Sequence, residues 1–517
     1  MRNVGVGLLG WMVWAGVLGT PALEAQSPVA ISVANYQIEP TDPHGEMVEY
    51  FDRKFGVELT FLNFDNQYYH EQLDLKIASG MVPDWLYLRE ASSLGVYARL
   101  GILAPLSVEL LQKNSPRLYE LLVREAPEYL AMGRVDGALY GIPVVSPTNL
   151  FHVPLVYRED WMRRVGFDHT PRTLAEFEDL MYRFTRNDPD GDGKNDTYGL
   201  SRDGMNAVFG AFGLVPLDAT DYWVREDGRI VNSSVSPRAK QALAYLARWY
   251  RDGVIDPEAI TGENQGGYWA VSHAFVNGRI GFTTHGNFYH WTTTGAYTIP
   301  GPGGEGTPVE AETNGRELER RHPEARLAFG PPLVGLTGTR GIKAYNRLMN
   351  FVTFSRAATL VPGKLEKMLQ ILDANASSDP VERIGMHLGI EGRHWKLLDA
   401  KTGAFRILAP WDQEDGYWSR IGCGLSIDVP LQLQSPRDLW AYRLGLDKDG
   451  IESLIQVALP SSARYEATLR RLRTEVYWAI ITGRKPVSSF DAFVRDYAAA
   501  GGAVLQREAE QYWESRR

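Results

Sequence analysis

The chain has 517 residues, 44% of them hydrophobic and 23% charged, a globular composition that excludes disorder and coiled coil. Its 54 basic and 63 acidic residues give a formal charge of −9, without the basic footprint of a nucleic-acid binder. Length alone allows roughly three domains of about 150 residues, or two larger lobes.

Residues 1–25 stand apart from the rest. Arg2 supplies a positive start, Val4 to Leu18 is apolar with only glycine interruptions, and Thr20 to Ala25 forms a small-residue exit. The pattern predicts a secretory leader cleaved after Ala25, because an apolar run of about 15 residues falls short of the ~20 that span a bilayer. Cys423 is the single cysteine, so no intramolecular disulfide can form, and the leader holds no cysteine for a lipid anchor. A free periplasmic protein is the expectation.

After the leader, strands alternate with helices. Val29 to Asn35 reads as a strand, and Asp42-Pro43 as the start of a helix carrying Met47, Tyr50, Phe51 and Phe55, stopped by Gly56. Val57 to Phe64 is a second strand, Asp65 a cap for a helix that ends at Gly80, and Trp85 to Leu88 a third strand. This alternation predicts a parallel sheet with right-handed crossovers. A proline-rich passage from Ile142 to Pro154 leads to a strand at Leu155 to Arg158. Thr173-Leu174-Ala175-Glu176 is a capping box opening a helix to about Arg186, and Ser236-Pro237 opens another that ends at Gly253. Residues 296–328, rich in Gly, Pro and Glu, read as a surface loop. Asn350 to Ser355 is a strand, Gly363 to Asn375 a helix, and Ser462 to Ile481 and Asp491 onward are helical.

The sharpest motif is Asp188-Pro189-Asp190-Gly191-Asp192-Gly193-Lys194-Asn195-Asp196. A calcium loop needs oxygen donors at its positions 1, 3, 5, 7 and 9 with glycine at 6, and those positions here are Asp188, Asp190, Asp192, Lys194 (through its carbonyl), Asp196 and Gly193. Such closely spaced carboxylates repel unless a cation neutralises them. A metal-free turn rich in side-chain-to-backbone bonds is the plainer alternative. Position 12, a bidentate Glu in an EF-hand, is Gly199, so a calcium-triggered opening is not expected.

Catalytic motifs are weak. There is no Gly-rich phosphate loop, HExxH, Cys/His cluster or nucleophile elbow. His285 and His290 read as surface or packed residues. Fourteen Trp and 25 Tyr are more than a core of this size needs, and Trp223, Trp269, Trp291, Trp395, Trp411 and Trp418 lie in polar, glycine-rich contexts suited to stacking on sugar rings. Packing with a satisfied indole N–H explains each one as well.

Ordered segments carry a resemblance. They are Met81-Val82-Pro83-Asp84, Gly101 to Leu106, Gly137 to Pro143, Tyr157-Arg158-Glu159-Asp160-Trp161, the aspartate loop with Thr197-Tyr198-Gly199, Trp249 to Glu258, Phe275 to Gly281, and Gly389 to Trp395. Together they resemble the family 1 extracellular solute-binding proteins of ABC importers, most closely the long subgroup that includes alginate-binding proteins. The resemblance implies an α/β, two-lobed periplasmic-binding-protein fold of type II character with the ligand cleft between the lobes. It places residues 27–155 with 337–380 in the first lobe, and 156–336 with 381–517 in the second. It also implies a structural Ca²⁺ on the aspartate loop, where Thr197 replaces an acidic residue common in the family. The implied partners are an oligosaccharide and the permease transmembrane subunits, met by a monomer that catalyses nothing. A secreted polysaccharide-active enzyme and a receptor-docking sensor are the rival readings.

Open α/β sheets bind ligands at strand carboxyl ends, which nominates Tyr36 and Gln37 in the first lobe. In the second lobe the nominees are Trp269, Asn287 and Trp291 around the strand at Ile280, and Glu391, His394 and Trp395. Trp and Tyr are expected to stack, while Asn, Gln, Glu and His read hydroxyls.

Overall fold

The computed structural model describes residues 28–515 apart from 38–41, 43, 66–67, 90, 126, 146–152, 218–221, 262–271, 287, 292–297, 301–305, 309–313, 345–347, 402–403 and 409–448. The leader, Cys423, Trp269, Asn287, Trp411 and Trp418 therefore lie outside the described residues.

The elements that build the lobes run in chain order from β1 (Val29–Gln37), α1 (Glu46–Phe55), β2 (Val57–Asp65), α2 (Tyr69–Ala78) and β3 (Trp85–Leu88) to α3 (Ala91–Arg99) and β4 (Gly141–Val145). Then come β5 (Leu155–Arg158), α4 (Leu174–Arg186), β6 (Tyr198–Leu200), α5 (Pro237–Arg251), β7 (Ile280–Thr283) and β8 (Leu327–Gly330). The chain continues through β9 (Leu348–Phe354), α6 (Lys364–Asp373), α7 (Pro380–Leu388), the hairpin β10 (Trp395–Asp399) and β11 (Ala404–Ile407), and α8 (Ser462–Ile481).

Local signals behave as their chemistry requires at several ends. Gly56 stops α1 in the left-handed conformation, φ 64°, with its N–H on the Asp52 carbonyl. Thr173 and Glu176 cap each other at the start of α4, and the Ser236 hydroxyl accepts from Arg238 N at α5. Two expected caps fail. Asp42 accepts from the His44 N–H in a turn before the helix, and α1 starts later, at Glu46, with Gly45 as its N-cap and no side-chain cap. Asp65 is consumed by β2, which leaves Tyr68 at the N-cap of α2 with no side-chain cap. The expected loop at 296–328 contains a helix, Asn314–Arg321, and the start of β8.

The first sheet has the order β2-β1-β3-β9-β4, with β1, β2 and β3 parallel and β9 antiparallel to both of its neighbours. Its central strand β3 is buried throughout, and Trp85 meets its register partner Phe354 edge to face at 5.5 Å. The second sheet has the order β8-β5-β7-β6. Helix α4 lies so close to it that a Cβ on Gly281 would sit 2.3 Å from the Phe184 ring, and one on Gly199 would sit 2.9 Å from the Met181 Cβ. Glycine is the residue that lets a helix approach a strand at that distance. Phe177 of α4 completes the contact, 4.7 Å from Phe282 in ring-centroid distance.

The lobe boundaries differ from expectation at two points. Helix α7 stays with the first lobe: Met386 is in that core, Glu382 pairs with Arg117 at 3.2 Å, and Arg393 reaches Glu46 at 3.3 Å. Residues 337–343 stay with the second lobe, where Ile342 is fully buried in the core. Sequence periodicity marks an element but not which lobe buries its apolar face, so both limits shift by several residues.

Candidate functional site

Strand direction defines the face that the lobes share. The chain leaves the first sheet at the end of β4 and enters the second at β5, then returns from β8 to β9. Because β4 runs parallel to β3, this crossing edge is also where β1, β2 and β3 end. In the second sheet β7 is antiparallel to β5 and parallel to β6, so β6 and β7 also end at the crossing edge. A further stretch, Gly450–Ile451, pairs with Ile342–Lys343 between them.

In the first lobe this edge carries Tyr36 and Gln37, in register with Phe64 and Asp65. The second lobe contributes Ser201 to Asp203 after β6 and Thr284 to Gly286 after β7. Asp203 Oδ2 lies 2.9 Å from His285 Nδ1, and the Thr284 hydroxyl donates to the Asp203 carbonyl. Their side chains are 23% and 14% exposed. The carboxylate selects the imidazole tautomer with the proton on Nδ1 and fixes the ring. Sequence reasoning missed Asp203 and took His285 for a surface or packing residue, since no spacing links positions 203 and 285.

Of the nominated tryptophans, Trp291 and Trp395 are described, and both are packed away from this edge. Trp291 is 2% exposed, donates its indole N–H to the His285 carbonyl at 2.8 Å and meets Phe275 edge to face at 4.9 Å. Trp395 is fully buried against Ile384 and Phe405, with its N–H on the Gly389 carbonyl at 2.8 Å. Neither leaves a ring face for a sugar, so the stacking role expected of both is corrected to packing. Trp223 is core as well. His394 is 2% exposed and accepts from the Ile390 N–H at 3.0 Å, which replaces hydroxyl recognition with a turn bond. Glu391 is exposed and accepts from Leu397 N at 3.4 Å. This Gly-flanked segment belongs to the first lobe, not to the second as expected, since Arg393 is tied to Glu46.

The aspartate loop follows directly from α4. Asp188 has φ 47° and its two carboxylate oxygens accept from the N–H groups of Gly191 and Gly193, both at 3.0 Å. Asp192 accepts from Lys194 N at 2.8 Å and from its ammonium at 2.6 Å. Carboxylate oxygens of Asp188, Asp190 and Asp192 lie within 4.8 Å of one another. Burial, with the Asp188 and Asp192 carboxylates beside it, pushes the Asp190 carboxyl up, while the Lys194 side chain holds that of Asp192 down. Three converging carboxylates fit the hard-oxygen donor set of a calcium ion. Asp196 is not part of that trio among the described residues. Thr197 is buried with its hydroxyl donating to the Phe184 carbonyl at 2.7 Å, so its side chain ties the loop to α4.

The profile of the bacterial extracellular solute-binding proteins matches residues 46–311, just over half of the chain. The protein belongs to that family. Its members bind solutes outside the cytoplasm, and among the described residues no helix is long and apolar enough to cross a membrane. Lipoprotein LipO of Bacillus subtilis (strain 168) is 22% identical over 487 residues, covering 89% of this chain and 87% of the relative. The polygalacturonan/rhamnogalacturonan-binding protein YtcQ of the same organism is 23% identical, covering 73% and 70%. Among solved structures, the Streptococcus pneumoniae ABC-transporter substrate-binding protein FusA in complex with kestose superposes with a TM-score of 0.70 at 18% identity, covering 95% of this chain and 99% of that one. The alginate-binding protein AlgQ2 without calcium ion gives 0.69 at 16%, covering 95% and 98%. These likenesses establish the two-lobed α/β binding-protein fold.

Proposed function

We propose that the protein holds an oligosaccharide between its lobes and delivers it to the transmembrane subunits of an ABC importer. The supporting observation is strand direction: strands of two separate sheets end at the edge where the chain passes from one sheet to the other. A ligand touching both edges interacts better with the closed than the open arrangement, and that difference drives closure. The names of the relatives point to glycans: YtcQ is a polygalacturonan/rhamnogalacturonan-binding protein, and FusA is seen with kestose. Tyr36 and Gln37 from β1, and Asp203 and His285 from the second lobe, are the residues to test first, with Trp269, Asn287 and the exposed Glu391 behind them.

Asp188, Asp190 and Asp192 would hold a calcium ion, with Asp196 and the Lys194 carbonyl as further donors. Bound there, the ion supplies the positive charge that lets the carboxylates sit together. The same reading has the protein exported by its leader, monomeric and binding without catalysis.

A thermal-shift screen against an oligosaccharide panel tests the assignment, since a ligand that binds the native state raises its apparent stability. The expected result is a rise in melting temperature with at least one glycan, and no release of reducing ends on prolonged incubation. A panel without any shift, or the appearance of reducing ends, counts against it.

A further inference from the structure

Between α3 and α8 the lobes enclose an open groove of about 660 Å³. Ser92, Ser93 and Val96 form the first-lobe wall, and Ala463 and Ala467 form part of the wall opposite. Ser92 and Ser93 belong to the first turn of α3, directly after β3, so the groove opens within a helical turn of the crossing edge. Its end is pinned where α3 meets the segment before α8. A Cβ on Gly95 would sit 2.9 Å from the Ala458 Cβ, so only glycine permits this approach of the two lobes. The volume falls within the range of roughly 300–1,000 Å³ typical of small-molecule sites.

We infer that this groove continues the ligand site and takes the distal units of a neutral oligosaccharide. The inference rests on the carbohydrate reading above and names the class of sugar. Serine hydroxyls and charged side chains supply hydrogen-bond partners for sugar hydroxyls, while Val96, Ala463 and Ala467 leave small apolar patches for C–H faces. The charges decide against an acidic chain. Asp74, Glu466 and Glu475 line the groove against Arg470 and Arg471, three carboxylates to two guanidinium groups. Asp74 accepts from the Tyr97 hydroxyl and does so from the groove wall. A uronate polymer would bring one further negative charge per unit into this surface, where like charges repel. A neutral chain meets donors and acceptors without that cost.

Calorimetry on the full chain tests this with neutral fructo-, gluco- and manno-oligosaccharide ladders from di- to hexasaccharide, and a matching oligogalacturonate ladder. The variants are Ala467→Trp on the α8 wall and Val96→Trp on the α3 wall, so that one still decides if the other fails to fold. In the wild type, affinity for one neutral ladder should rise with chain length and exceed that for galacturonates of equal length. Each variant should lose roughly tenfold or more on the longest sugars and stay within about twofold on the disaccharide, as expected when a contact at the far end is blocked. Long neutral sugars bound by both variants as by wild type would overturn the groove assignment. Tighter binding of galacturonates would overturn the charge argument. A wild type that binds no sugar from any ladder would instead overturn the carbohydrate reading itself.

Discussion

The aspartate loop and the crossing edge are both candidate binding regions, and they are built in opposite ways. The three converging carboxylates of the loop, Asp188, Asp190 and Asp192, lie within five consecutive residues, in a segment coiled by the left-handed turns at Gly191 and Gly193. The edge is assembled from positions as distant as Tyr36, Asp203 and His285, each placed by a different strand end. The loop is a product of local backbone geometry. The edge exists only once two sheets have formed and the chain has crossed between them.

The largest expected effect is at Trp395. If it is core, as its burial indicates, Trp395→Ala leaves a cavity, and stability in urea should fall by about 3–5 kcal/mol. A variant that unfolds like wild type yet loses sugar affinity would return Trp395 to the ligand site.

Chelation is the next largest test. With free calcium at a hundred times its Kd, removing the ion should cost about 2.7 kcal/mol, read as a lowered melting temperature that added calcium restores. Asp190→Ala should melt at one temperature with or without chelator. An unmoved wild-type melting curve would leave the loop as a metal-free turn.

A smaller effect belongs to the edge. Asp203→Asn keeps the shape but removes the charge that fixes His285, and partial exposure limits the expected stability loss to roughly 1–2 kcal/mol. Sugar affinity should fall with it. Unchanged affinity would take the pair out of the site. Thr173→Ala, which deletes the capping hydroxyl of α4, should cost about 1 kcal/mol. Because that cap is at the opposite end of α4 from the loop, the calcium response should survive intact.

The sequence by itself determined what depends on a few neighbouring residues. The parallel opening of the first sheet, the Thr173–Glu176 capping box, the Gly56 stop and the convergence of Asp188, Asp190 and Asp192 all follow from residue chemistry within about a turn or a strand. The ordered segments extended that reading to the family. Tertiary structure alone decided the rest. Trp291 and Trp395 share the glycine-rich, polar surroundings of a sugar-stacking residue, but both were claimed by packing, because buried aromatic area and a satisfied N–H outweigh the local context. Asp65 looked like a cap, but β2 used it to complete its pairing with β1. The membership of α7 in the first lobe, and the meeting of Asp203 with His285, depend on where apolar faces find partners far along the chain. No local pattern encodes that choice, because it is made by the whole fold at once.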